Sequence, residues 1–154
     1  VHMPRPKMGS EMSNRCIIVR ARRVLLIRRS KDNKRGVGKY EFPGGKIDER
    51  LEIKSENLRE VSEETGYKVR LHQQLGWRVS HDVSGQRVKP TPHLTLYWLA
   101  RIESGKLALS SEHDHAIWCT YKEALALGDE LSQRTTDFLK LHRTTLKKFG
   151  LSME

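Results

Sequence analysis

Apolar positions along this chain fall into short runs separated by charged or glycine-bearing stretches, and the spacing within each run predicts its element. Two β-branched and aliphatic runs, Arg15 to Arg20 and Val24 to Arg28, flank Ala21-Arg22-Arg23 and predict a hairpin. Ser30 to Lys39 is polar and carries Gly36 and Gly38, which predicts a loop. A helix is predicted over Ile53 to Thr65, burying Ile53, Leu58, Val61 and Thr65 and ending at Gly66 in a left-handed cap. Val69 to Val79, through Leu71, Leu75 and Trp77, and the β-prone run His93 to Ala100 predict two further strands. A Gly- and Pro-containing loop over His81 to Pro92 joins them, and a turn around Gly105 follows. Leu131 to Phe149 reads as one basic amphipathic helix. Leu131, Phe138, Leu141 and Leu146 face inward, and Arg134, Lys140, Arg143, Lys147 and Lys148 face outward. Val1 to Ser13 holds two prolines and three methionines without periodicity, so residues 1–13 are expected to be a disordered tail, with His2-Met3 left over from expression. The element order predicts an α/β sandwich built as one domain over residues 14–150.

Composition narrows the class without fixing it. No apolar run approaches the roughly 18 residues of a membrane helix, and no charged-then-apolar signal opens the chain. A cytoplasmic location and no membrane partner are therefore expected. Cys16 and Cys119 each sit in an apolar run and read as buried free thiols. The net charge of +10 is uneven: eleven Lys or Arg stand against two acids up to Arg35, whereas Glu41 to Glu64 holds eight acids and four bases. A basic protein with one acidic island suits a polyphosphate held through a metal, and it also suits nucleic acid.

The acidic island carries a definite chemistry. Glu60, Glu63 and Glu64 stand at i, i+3 and i+4, on one face of the predicted helix. Like charges so placed call for a cation among them, and a hard oxygen-seeking ion such as Mg²⁺, or Mn²⁺, is the natural candidate. Upstream, Gly44-Gly45 permits positive φ and close backbone approach to a metal or phosphate.

Gly45, Arg59-Glu60, Glu63-Glu64 and Gly66 fall at the spacing of the Nudix box, and the chain resembles that family of hydrolases, which cleave a nucleoside diphosphate linked to another group. The resemblance implies the Nudix fold, an α/β/α sandwich with a mixed central sheet and the loop-helix-loop box. It implies Glu60, Glu63 and Glu64 as Mg²⁺ ligands, assisted by the Gly44 carbonyl and Glu112, with Arg59 orienting its acidic neighbours and Glu64 or Glu112 taking the proton of the attacking water. Arg28 and Arg29 at a strand end, with Gly45 and Lys46, would face the phosphates. Glu112, Trp118 and Glu123-Ala124-Leu125 match the family's loop over the metal site and its following helix. Gln133, Arg134 and Asp137 are available for base recognition, whereas Trp77, Tyr97 and Trp98 read as core sooner than as a base-stacking surface. His113 and His115 lack the further ligands a zinc site needs.

The chain also departs from the box. Leu51 stands where a Glu is expected, Arg50 where a Gly is expected, and Glu56 and Asn57 where small residues are usual; Glu52 lies one position late. By resemblance, the missing Glu supports Arg59 and the loop. The phrase Tyr40 to Asp48 resembles the MutT-type branch, which implies hydrolysis of nucleoside triphosphates, oxidised ones included, to monophosphate and pyrophosphate. ADP-ribose, nucleotide sugars, dinucleoside polyphosphates and capped RNA are rival substrates. A catalytically weakened nucleotide- or RNA-binding protein is the rival of another class. The small nucleotide is the favoured partner, RNA is not, and the chain is a monomer or a homodimer.

Overall fold

The computed structural model describes residues 11–47, 52–81 and 92–154. Seven strands form a mixed sheet: β1 (Glu11–Arg20), β2 (Arg23–Arg29), β3 (Tyr40–Glu41), β4 (Gly44–Lys46), β5 (Tyr67–His81), β6 (Pro92–Gly105) and β7 (His113–Cys119). The helices are α1 (Ile53–Thr65), α2 (Tyr121–Leu125), α3 (Gln133–Leu141) and α4 (Arg143–Lys148). β1 is central: it runs parallel to β6 on one side, and every other pairing in the sheet is antiparallel.

Both faces of the second half of β1 are covered, which is why Cys16 to Val19 is a continuous apolar run. Ile17 and Val19 pack with Tyr97, Phe138, Leu139 and Leu146 on the side of α3 and α4. Cys16 and Ile18 pack with Val61, Tyr67 and Val69 on the side of α1. The result is the expected α/β/α sandwich. Both cysteines are buried and free. Among the described residues no helix is long and apolar enough to cross a membrane.

Several elements differ from the sequence expectation. β1 starts at Glu11, so residues 11–13 belong to the sheet, paired with His93, Leu94 and Thr95 of β6. β5 matches its expected run to within two residues at each end, whereas β6 continues past Ala100 to Gly105, because a long antiparallel ladder satisfies the backbone of polar stretches too. Their connection, residues 82–91, lies outside the described residues, as do positions 1–10 and 48–51. His113 to Cys119 is a strand on β2 rather than a closing loop. The basic C-terminal helix is two helices broken at His142, where φ is −107° and ψ 22°, and Leu131 precedes them in a bridge to Tyr40. The break turns Leu141 out to 79 % exposure while Leu146 is buried. Leu58 is likewise exposed, and Asn57 takes the buried position beside it.

A candidate active site at the glycine pair

β1 changes partner along its length, and the site lies at the change. Its first half pairs with β4, with Arg15 opposite Gly44, and its last two residues pair with β2. Gly44 has φ +149°, and a Cβ there would lie 2.0 Å from the Asn14 carbonyl oxygen, so no other residue fits. A Cβ on Gly45 would lie 2.9 Å from Glu60 Oε2. The two glycines thus let the carboxylate face of α1 close onto the strand. The Gly44 N–H donates to Glu64 Oε2 at 2.6 Å.

Two charge clusters flank this contact. In the first, Glu41 on β3 is met by Arg29 at 3.3 Å, Arg15 at 3.5 Å and His113 Nε2 at 3.0 Å. Burial alone would push the Glu41 carboxyl up; Arg15, then His113 and Arg29, more than offset it and bring it down to about 2. Glu64 shows the opposite balance. Burial pushes it up to about 7, and the attraction of Arg15 and the Gly44 N–H only partly counter that. Glu60 is also raised, chiefly by burial.

The second cluster is centred on Arg59, whose guanidinium bonds Glu56 through Nε and Nη2, Glu60 through Nη2 at 2.9 Å and Glu63 through Nη1 at 2.7 Å. These contacts raise the Arg59 pKa, with Glu56 the largest cause and Glu63 next. The cation that the acidic helix face calls for is therefore supplied in part by the chain itself.

Both clusters border one cavity of about 890 Å³. Of the residues expected at the site, Arg29, Gly44, Gly45, Lys46, Glu60, Glu64 and Glu112 line it together. Arg28, Arg59 and Glu63 are not among the lining residues. Arg28 turns away to pair with Asp114 at 2.7 Å, and Glu63 is exposed beside Arg59. Of the base-recognition candidates, Gln133 and Arg134 line it as well, and the cavity adds Arg15, Lys34, Arg35, Lys39, Glu41 and His113. Arg15 and Glu41 had no role assigned from sequence. Their signal was a charge on a strand otherwise facing the core: Arg15 shares the period-two face of Ile17 and Val19.

The aromatic candidates separate. Trp98 donates from Nε1 to Asn14 at 3.0 Å and Tyr97 stacks on Phe138, so both are structural, although Tyr97 also lines the cavity. Trp77 is 70 % exposed rather than core. Asp137 is engaged by Arg78 at 2.9 Å and Gln133 at 2.8 Å, while Arg134 lines the cavity. His115 bonds the Tyr40 hydroxyl at 2.7 Å and His113 faces Glu41, so neither pairs with the other.

No three His, Cys, Asp or Glu among the described residues form a ready ligand set in this conformation. The chemistry of the donors nonetheless fits a hard divalent ion. Glu60, Glu64 and the Gly44-Gly45 backbone share one wall and offer oxygen.

The sequence profile described as the NUDIX domain matches residues 11–140. No curated protein matches the chain. Among solved structures, the MutT protein from Methanosarcina mazei Go1 is similar at 22 % identity and TM-score 0.76, over 92 % of this chain and 99 % of that one. A NUDIX hydrolase from Nitrosomonas europaea follows at 17 % identity and TM-score 0.74, over 88 % and 90 %. A C. elegans Ap4A hydrolase gives 19 % identity and TM-score 0.67, over 90 % and 99 %. The match over most of the chain, on a fold that carries the glycine pair against the acidic helix, makes this protein a member of the Nudix hydrolase family.

Proposed function

We propose that the cavity takes the polyphosphate of a nucleotide and that the chain hydrolyses it with Mg²⁺ or Mn²⁺, a nucleoside triphosphate, oxidised forms included, giving monophosphate and pyrophosphate. One observation carries this reading. The same cavity is lined by carboxylates, Glu60 and Glu64 among them, and by cations, among them Arg15, Arg29, Lys39, Lys46 and Arg134. A chain of phosphates needs both at once: cations for its free oxygens, and carboxylates to hold the metal that bridges them.

The ligands would be Glu60 and Glu64 with the Gly44 carbonyl, Glu112 approaching from the turn before β7, and Glu63 after rotation from Arg59. A bound divalent ion lowers the pKa of its water and neutralises the phosphate oxygens. Glu64 or Glu112 would be placed to accept the proton of the attacking water, and Arg59 would hold Glu60 in place. Arg29 and Lys46 bind the phosphates, with Gly45 allowing close approach. Arg28 reaches them only by leaving Asp114.

The cavity volume is near the upper end of the roughly 300–1,000 Å³ usual for small-molecule sites, and that favours a dinucleoside polyphosphate as the second reading. Chromatographic product analysis with Mg²⁺ decides between them. The panel holds canonical and oxidised triphosphates, ADP-ribose, a nucleotide sugar and a dinucleoside polyphosphate, with Glu64→Gln alongside. Monophosphate plus pyrophosphate from a triphosphate, absent in the variant, is the expected result. Turnover of another diphosphate compound alone overturns the triphosphate assignment. A fully folded protein that turns over nothing, with salt-sensitive RNA binding, overturns the hydrolase.

A further inference from the structure

Glu56 is buried to 5 % exposure on α1, at a position where the box resemblance leads one to expect a small residue. A carboxylate so far from water is costly unless a cation meets it. Its partner is Arg59, one turn on, whose Nε donates to Oε2 at 3.2 Å while Nη2 donates to Oε1. Two parallel bonds fix the plane of a guanidinium, which a single bond does not. With that plane fixed, the remaining N–H groups point at Glu60 Oε1 and Glu63 Oε1. Glu60 in turn keeps its other oxygen beside Gly45, at the cavity wall.

We propose that Glu56 is a positioning residue: it sets the orientation of Arg59, and through Arg59 that of Glu60, and it has taken over the support that the box loses with Leu51. The chain has no carboxylate at position 51 and has gained one at position 56, in direct contact with the group that position 51 would serve. Glu52 is not the replacement. It caps α1, accepting from the backbone N–H groups of Lys54 and Ser55 at 3.1 and 2.7 Å. Glu63 does not replace it either: it is exposed and holds one guanidinium nitrogen, so it leaves Arg59 free to rotate.

The inference rests on the hydrolase reading for its effect on turnover but not for its geometry, and the test separates the two. Glu56→Gln, Glu56→Ala and the double variant Leu51→Glu/Glu56→Ala are compared with the wild type. The first readout is solvent exchange of the Arg59 Nε–H by NMR, which needs no substrate. The second is kcat and KM on the best-turned-over nucleotide. The Nε–H is expected to exchange slowly in the wild type, fast in Glu56→Ala and slowly again in the double variant. kcat should fall about tenfold in Glu56→Ala with KM little changed, and recover in the double variant. Glu56→Gln keeps the shape and one acceptor oxygen, so it guards against a folding defect and should lie between. Unchanged Nε–H exchange in Glu56→Ala, or unchanged kcat despite fast exchange, overturns the positioning role. Failure of the double variant to recover overturns the replacement of position 51. If no nucleotide is turned over at all, the exchange data still decide the Glu56 assignment.

Discussion

Glu41 and Glu64 border the same cavity and are withdrawn from water to nearly the same degree, 8 % and 6 % exposed. They nonetheless ionise in opposite directions, one falling to about 2 and the other rising to about 7 from an ordinary 4.5. Burial pushes both upward, so burial is not the difference. Among the described residues, Glu41 touches Arg15, Arg29 and His113, whereas Glu64 touches the Gly44 backbone N–H and feels Arg15 through space. One carboxylate is already neutralised by the chain, and the other is short of a positive charge. A binding site for a cation has that property, in line with the proposed metal ligand Glu64, while Glu41 serves as framework.

The largest test of the contrast is Glu64→Gln. Gln keeps an acceptor for the Gly44 N–H but loses the charge, and turnover should fall by about 10²–10⁴. The same variant should be more stable than the wild type when metal is withheld at pH 8, a rise in the unfolding midpoint measurable by calorimetry. A protein weakened by the change would place Glu64 with the framework instead.

Arg15→Met attacks the other member. It leaves Glu41 buried with Arg29 and His113 only, and also removes the bond from Arg15 Nη1 to the Phe42 carbonyl at 3.0 Å. Breaking a buried pair costs about 3–5 kcal/mol, to be read by denaturant unfolding. A loss under 1 kcal/mol would mean that Arg29 and His113 suffice.

The pH profile of the metal-free protein holds the two effects side by side. Glu41 has a lowered folded pKa, so its contribution, about 3 kcal/mol, is present above 4.5 and is lost as pH falls toward 2. Glu64 has a raised folded pKa, so its contribution of similar size is present below 4.5 and is lost as pH rises through 7. Glu41→Gln should flatten the acid limb and Glu64→Gln the neutral one. Metal that binds at Glu64 should release a proton below pH 7, seen as a buffer-dependent heat of binding.

How far these features could be read from sequence follows from the reach of the interactions. The helix over Ile53–Thr65 and its left-handed cap at Gly66 depend on local pattern, and both were predicted to the residue. The meeting of glycine pair and acidic helix was implied by the family resemblance, and the structure brings Gly44 to Glu64 and Gly45 to Glu60. The extension of β6, the strand at His113–Cys119 and the break at His142 depend on neighbours distant in sequence. Arg15 and Glu41 lie 26 positions apart and meet only through the sheet, so nothing in the local pattern paired them. Within α1 the expected buried face was shifted. Leu58 is out and Asn57 is in, because the buried line of the helix runs through Asn57, Val61 and Thr65, four residues apart.

That shift supplies the smallest and sharpest form of the comparison, between two buried asparagines. Asn14 is sealed from water with both amide atoms satisfied: Nδ2 donates to the Ile53 carbonyl at 3.2 Å and Oδ1 accepts from Trp98 Nε1 at 3.0 Å. Asn57 is equally sealed, 0 % exposed, and neither amide atom has a partner. As with the two carboxylates, equal burial gives opposite energetics because the partners differ. Removing Asn14 strands the Trp98 donor and unties β1 from the start of α1, so Asn14→Ala should cost about 2 kcal/mol. Removing Asn57 strands nothing and puts a better helix former mid-helix, which should offset the small cavity and stabilise the protein by about 1 kcal/mol. Equilibrium urea unfolding of both variants measures the pair. If Asn57→Ala destabilises as much as Asn14→Ala, an unseen partner, such as a buried water, satisfies that amide, and the parallel with Glu64 fails.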